Sequence, residues 1–255
     1  MYWTDIDHSF CESTLTGLPE YYNAISSLFI VFFGLYGMTN IYNELFIDIL
    51  YANLVIVGIG SFGYHWFGNI GWALSDEIPM ILAIFTGIIY TDNVYFLLSK
   101  DKYYNDIIVI KDLVYKKKIK LLLYLSIMCI IIIYNVMTNF RKLFPTIFGF
   151  IATYLYYKIF ILMKLLNYNL KDIILHKIQN SLFTIALSAI IWISTELTCN
   201  YIKLYIFLLG HPMWHFFIGH GFYNLIQIIY FIKTYDEKHI LQYNKLYLLE
   251  KKDYQ

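Results

Sequence analysis

His211 and His215 stand four residues apart in GHPMWHFFIGH, a run otherwise made of Trp, Phe, Ile, Met, Pro, Gly and a third histidine, His220. On a helix, positions i and i+4 share a face one turn apart, so these two imidazoles point the same way. Ser61 and His65 repeat that spacing in GSFGYH, and Asp76 follows eleven residues later in LSDEI. Three imidazoles with an open fourth position form a ligand set of catalytic zinc. A neighbouring carboxylate can take a proton from a water and hand one on. A hydroxyl one turn before a ligand can donate to a developing oxyanion. His65, His211 and His215 therefore read as zinc ligands, with Ser61 and Asp76 as catalytic groups. Each group alone has a plainer explanation. A histidine pair can sit at a wet helix end, Asp76 can be a first-turn charge, and Ser61 can be a small packing residue. Their combination favours the metal site. His220 lies off the face of His215, and His8, His176 and His239 lie in the tails and loops; none is given a metal role.

The elements that must bring these residues together are membrane helices. Of 255 residues 59% are hydrophobic and 15% charged, too apolar for a water-soluble domain of this length. A net charge of +1 provides no basic field for nucleic acid. About 20 apolar residues cross a bilayer, and that length fits at 22–42, 47–67, 75–98, 119–138, 143–163, 178–199 and 211–232. The stretch 201–210 is apolar but too short, and reads as an interfacial connection. The expectation is an all-α seven-transmembrane bundle in one domain, 1–255. It has an acidic outer tail (1–21), the bundle (22–232) and a C-terminal tail (233–255). The first twenty residues hold four carboxylates and no Lys or Arg, unlike a secretory signal peptide.

Lysines set the orientation. With the N-terminus outside, fourteen of the nineteen Lys and Arg residues fall in inner segments and three, Arg141, Lys142 and Lys203, in outer ones. This favours a luminal N-terminus and a cytosolic C-terminus. Span 2 then ends on the outer side, where spans 3 and 7 begin. Ser61 with His65, Asp76, and His211 with His215 thus fall at one depth near the outer face. Intramembrane ionisable groups are costly and point to function.

At these residues the chain resembles the alkaline ceramidase family of seven-helix membrane amidases. GIGSFGYHWF followed by LSDEIPMI is similar to the family's Ser-x3-His and Asp-Glu elements. HPMWH with GHGFYN is similar to its His-x3-His element. FCES, EYYNAISS and WISTELTC resemble its N-terminal and sixth-helix segments. The resemblance implies hydrolysis of the ceramide amide to a sphingoid base and a fatty acid within the bilayer, zinc on His65, His211 and His215, and catalysis by Ser61 and Asp76. It also implies calcium held by the N-terminal segment, where Asp7, Ser9, Glu12, Thr14 and Glu20 stand. Ser9 and Thr14 depart from the family's aspartate and asparagine. ISTE replaces its Asn-Ile-Asp-Asn-like run, leaving Glu196 as either a calcium-site contact or a polar packing group.

Cys11 and Cys199 fall on the outer side, where an oxidising lumen favours a bond. Both match family cysteines, and they are expected to pair; Cys129 lies mid-membrane. Endoplasmic reticulum or Golgi is the expected membrane, and Lys251 and Lys252 near the C-terminus suit retrieval there. Two other readings share the zinc pattern. One is an ester-cleaving lipid hydrolase of the GPI-anchor remodelling type. The other is an adiponectin-receptor-like signalling protein, whose usual orientation, with a cytosolic N-terminus, disagrees with the lysine distribution.

Overall fold

The structure is a computed structural model and describes residues 5, 10–39, 44–102, 107–137, 143–166, 168–199, 201–234, 239–243 and 249–253. Asp7 and Ser9 lie outside the described residues. The helices in chain order are α1 (Cys11–Thr16), α2 (Tyr21–Met38), α3 (Leu45–Phe67), α4 (Ile70–Lys102), α5 (Ile107–Val136), α6 (Phe144–Met163), α7 (Tyr168–Cys199) and α8 (Gly210–Thr234). A 3₁₀ turn, Tyr205–Leu209, leads into α8. Its outward residues Tyr205 and Ile206 are exposed, as is Tyr201 just before it, which suits an interfacial connection. One departure from an all-helical chain is a short antiparallel hairpin in the C-terminal tail, His239–Tyr243 (β1) paired with Leu249–Asp253 (β2).

Six helices contain stretches long and apolar enough to cross a membrane: Tyr21–Met38, Leu45–Phe67, Ile70–Ser99, Lys111–Val136, Phe144–Met163 and Ile174–Cys199. The chain is accordingly a multi-pass membrane protein. Leu122, Ile133, Phe150, Phe183 and Ile190 are each more than half exposed. Such a surface would be an aggregation hazard in water and is at home against lipid. Helix α8, with 25 residues, is long enough to cross a membrane but is not among these six. His211, His215, His220, Asn224 and Gln227 lower its hydropathy, and most of its apolar residues, Ile226, Ile228 and Ile229 among them, are buried inside the bundle, with Met213 and Phe216 exposed.

Several boundaries differ from those expected. Helix α5 begins near 107 rather than 119, and α7 near 168 rather than 178. Counting apolar residues finds the membrane-embedded part, whereas backbone hydrogen bonding carries a helix on through its lysine-rich end. Helix α4 begins at Ile70, not 75, so the expected turn WFGNIGWALS shrinks to two residues. Gly68 ends α3 at φ 65, the left-handed geometry that glycine adopts at low cost. The Asn69 side chain then accepts the Trp72 N–H at 3.1 Å and starts α4. This tight connection holds the last turns of α3 beside the first turns of α4.

Candidate metal centre and active site

The site grows from the end of α3 and the starts of α2, α4 and α8. Where α3 meets α4, an ideal Cβ on Gly60 would lie 2.3 Å from the Ser75 carbonyl oxygen and 2.7 Å from the Asp76 nitrogen. Only glycine permits that approach, and it sets the Asp76 backbone against the turn of α3 that carries Ser61. Pro79 has no N–H to give the carbonyl four residues earlier, that of Ser75. Gly210 does the same work at the start of α8, where an added Cβ would lie 1.9 Å from the Thr195 hydroxyl oxygen. His211 is thereby set against α7.

His65, His211 and His215 come together. Each is buried, and one ligating atom from each lies within 4.8 Å of the others. Their ring centroids are 4.7, 4.8 and 5.2 Å apart. Each ring has an oxygen partner at Nδ1. His65 Nδ1 is 2.6 Å from Glu20 Oε2, His215 Nδ1 is 2.8 Å from Ser26 Oγ, and His211 Nδ1 is 3.4 Å from Glu196 Oε1. An outer oxygen on each imidazole fixes its orientation and tautomer, the usual support of a histidine metal site, and makes Nε2 the nitrogen each ring can offer. Ser61 Oγ lies on that side of His215, 3.3 Å from Nε2. Ser27 Oγ lies 2.9 Å from Ser61 Oγ and 2.9 Å from the Asn23 carbonyl oxygen, so it anchors the Ser61 hydroxyl to the start of α2. These residues fit a zinc ion by number, type and outer support.

Ser61, Asp76 and the three histidines line one cavity of about 770 Å³, whose remaining wall is mostly apolar and aromatic. That size and lining are typical of a small-molecule site. Phe10 covers the histidines, its ring 4.6 Å from that of His211 and 5.3 Å from that of His65.

Glu12 and Glu20 of the N-terminal segment are occupied by N–H donors. Glu12 accepts the backbone N–H groups of Tyr22 and Asn23 at 2.8 and 2.9 Å, and so caps α2 from a distance. Burial pushes its carboxyl above the usual carboxylate range, and those two N–H groups pull it part of the way back. Glu20 takes the Ser13 N–H and the Asn23 side-chain amide, each at 2.9 Å, in addition to His65. Its backbone N–H also donates to the His65 carbonyl at 3.0 Å. The Thr14 hydroxyl donates to the Phe10 carbonyl at 3.0 Å and is exposed. Calcium takes six to eight oxygens, and the described residues do not assemble them. No step of the chemistry is therefore routed through calcium.

Cys11 is bonded to Cys199, joining α1 to the end of α7 across 188 residues of chain. The residues that sequence reasoning did not assign are Ser26, Ser27 and the outer role of Glu20. Their signal was present in EYYNAISS: Glu20, Asn23 and Ser26/Ser27 fall at helical spacing, and all are buried. What the pattern does not say is which imidazole each would meet.

The family model described as Ceramidase matches residues 6–252, nearly the whole chain. No curated protein matches the sequence.

Proposed function

The chain belongs to the ceramidase family, and from that premise we propose that it cleaves the amide bond of ceramide to a sphingoid base and a free fatty acid with the help of zinc. The observation that carries this reading is the gathering of three buried imidazoles, each supported at Nδ1, in the wall of a largely apolar cavity. Zinc held by His65, His211 and His215 would supply Lewis acidity, which makes water a better nucleophile and the amide carbonyl a better electrophile. Asp76 accepts the proton of the attacking water and returns one to the departing amine, which otherwise leaves as a poor anion. Ser61, anchored beside Ser27, donates its proton in a hydrogen bond to the oxygen that gains charge. The apolar wall takes the hydrocarbon of the substrate and excludes bulk water.

Helices α2 to α8 form seven spans, with the N-terminus on the luminal side and the C-terminus in the cytosol of an endoplasmic reticulum or Golgi membrane. Supporting this are the lysine distribution, the Cys11–Cys199 bond beside the histidines, and the burial of α8 despite its polar residues. The arrangement puts the reacting groups near the outer interface, the depth of a membrane lipid's amide.

The test uses purified protein and a long-chain ceramide, with zinc content measured on wild type, His215→Ala and Asp76→Ala. The expected result is release of sphingoid base by wild type, loss of zinc and activity in His215→Ala, and retained zinc without activity in Asp76→Ala. Zinc-loaded wild type that leaves ceramide intact but cleaves an ester lipid would overturn the amide assignment.

A further inference from the structure

Glu196 is the carboxylate that the sequence leaves without a role. It sits on α7 three residues before Cys199, so both side chains share one face of the helix. That face meets Cys11. The Cys11 side chain is bonded to Cys199, and the Cys11 backbone N–H donates to Glu196 Oε2 at 2.7 Å. The other carboxylate oxygen, Oε1, faces His211 Nδ1 at 3.4 Å. A continuous path therefore runs from the disulfide through the Cys11 amide and Glu196 to one of the three imidazoles. Cys11 and Cys199 are 4% and 1% exposed, so the tether is part of the packed bundle. Glu20 and Ser26, which support the other two rings, belong to the start of α2. Of the three supporting residues, Glu196 is the one that accepts from a residue of the disulfide itself, whereas Glu20 accepts from Ser13 two residues further along α1.

We propose that Glu196 is the positioning residue for His211, and that the Cys11–Cys199 tether sets its geometry, so that zinc affinity depends on the disulfide through Glu196. This rests on the zinc reading under Proposed function. A carboxylate with one oxygen pinned can present the other to the ring in only a narrow range of directions. Once the pin is gone, the side chain has several rotamers and His211 loses its fixed orientation. A plain packing role for Glu196 would not couple it to the cysteines in this way.

The experiment measures zinc dissociation constants of the full-length protein in detergent by competition with a chromogenic chelator. The variants are Glu196→Ala, Glu196→Gln, the double variant Cys11→Ser/Cys199→Ser, and the tether removal combined with Glu196→Ala. Serine at position 11 keeps the backbone N–H and removes only the tether. Glu196→Ala and tether removal should each weaken zinc binding by about 10–100-fold, the usual effect of losing a ligand's outer partner. Glu196→Gln, which keeps shape and one acceptor, should fall between. In the Glu196→Ala background, tether removal should add no more than about twofold, because the two losses act through one path. An equal loss on tether removal in both backgrounds overturns the proposal, as does wild-type affinity in Glu196→Ala. If Glu196→Ala does not fold, Glu196→Asp takes its place: one methylene shorter, it should lose His211 and zinc affinity, and wild-type affinity there overturns the proposal. Wild type that binds no zinc overturns this inference and the zinc reading together. Wild type that binds zinc and leaves ceramide intact overturns the substrate reading alone.

Discussion

Gly60→Ala tests whether the approach of α3 to α4 is what places Asp76. The new methyl would meet the Ser75 carbonyl oxygen at 2.3 Å, its carbon at 2.5 Å and the Asp76 nitrogen at 2.7 Å, where ordinary contact begins at 3.4 Å. All three atoms are backbone, so no side chain can rotate away. The helices must part locally by about 1 Å, at a cost of about 1–3 kcal/mol for overpacking. The three histidines are on α3 and α8, not α4, so the metal site should persist while Asp76 shifts relative to Ser61. A displacement of that size at a reacting group lowers turnover by about 100-fold. The expected signature is zinc content near wild type, a lower thermal midpoint in detergent and a large loss of kcat on ceramide. Gly149→Ala on α6 is the control for the thermal midpoint, since an added Cβ there meets no other atom within 4 Å, although Gly149 lines the cavity. A folded, zinc-loaded Gly60→Ala protein with wild-type kcat would refute the reasoning.

Two more expected outcomes concern buried polar groups. Glu20→Gln removes the charge that accepts from His65 at 2.6 Å and turns an amide donor toward N–H groups. Zinc affinity should fall by about 10–100-fold in the same chelator competition, and unchanged affinity would count against Glu20 as the support of His65. Lys158 on α6 pairs with Asp92 on α4, and the Tyr124 hydroxyl of α5 donates to the same carboxylate at 2.8 Å. Lys158→Met strands Asp92 and should cost about 3–5 kcal/mol, whereas Lys158→Met with Asp92→Asn should recover most of that loss. Thermal unfolding in detergent reads the difference, and equal destabilisation of the single and double variants would contradict it.

Much of this arrangement was legible in the sequence because the bilayer is a demanding solvent. Apolar runs of the right length had few structures open to them other than helices, and ionisable residues interrupting those runs stood out. The histidine trio and Ser61 could be found because i and i+4 geometry is local. Helix ends were less legible. The lysines ahead of Lys120 and Ile178 look like loop residues by hydropathy, yet they continue α5 and α7 because nothing there breaks the backbone ladder. The α3–α4 turn was overestimated because Gly68 and Asn69 alone suffice for it. The partners of the imidazoles were the least legible part. Glu20 is 45 residues from His65 and Ser26 is 189 from His215, and no local spacing encodes such pairings. Glu20 was read as a calcium ligand, and Glu196 was left undecided, for the same reason.

The buried polar groups of this bundle divide by what their partners do. Lys158 and Asp92 neutralise each other, Tyr124 donates to Asp92, and the three lock α4, α5 and α6 together; removing the whole set together would cost the fold little. The histidines are arranged differently. Their Nδ1 atoms face Glu20, Ser26 and Glu196, with Ser27 Oγ also 3.5 Å from that of His215, and one ligating atom from each ring lies within 4.8 Å of the others. Three buried imidazoles gathered this closely, with the Ser61 hydroxyl 3.3 Å from His215 Nε2, form a polar cluster that a metal ion would suit. The fold commits a disulfide, two glycine contacts and three outer oxygens to holding them so. A bundle that needed only to be stable would do better with apolar side chains at all three positions. The cost is understandable if the cluster holds a metal and the apolar cavity beside it holds a lipid.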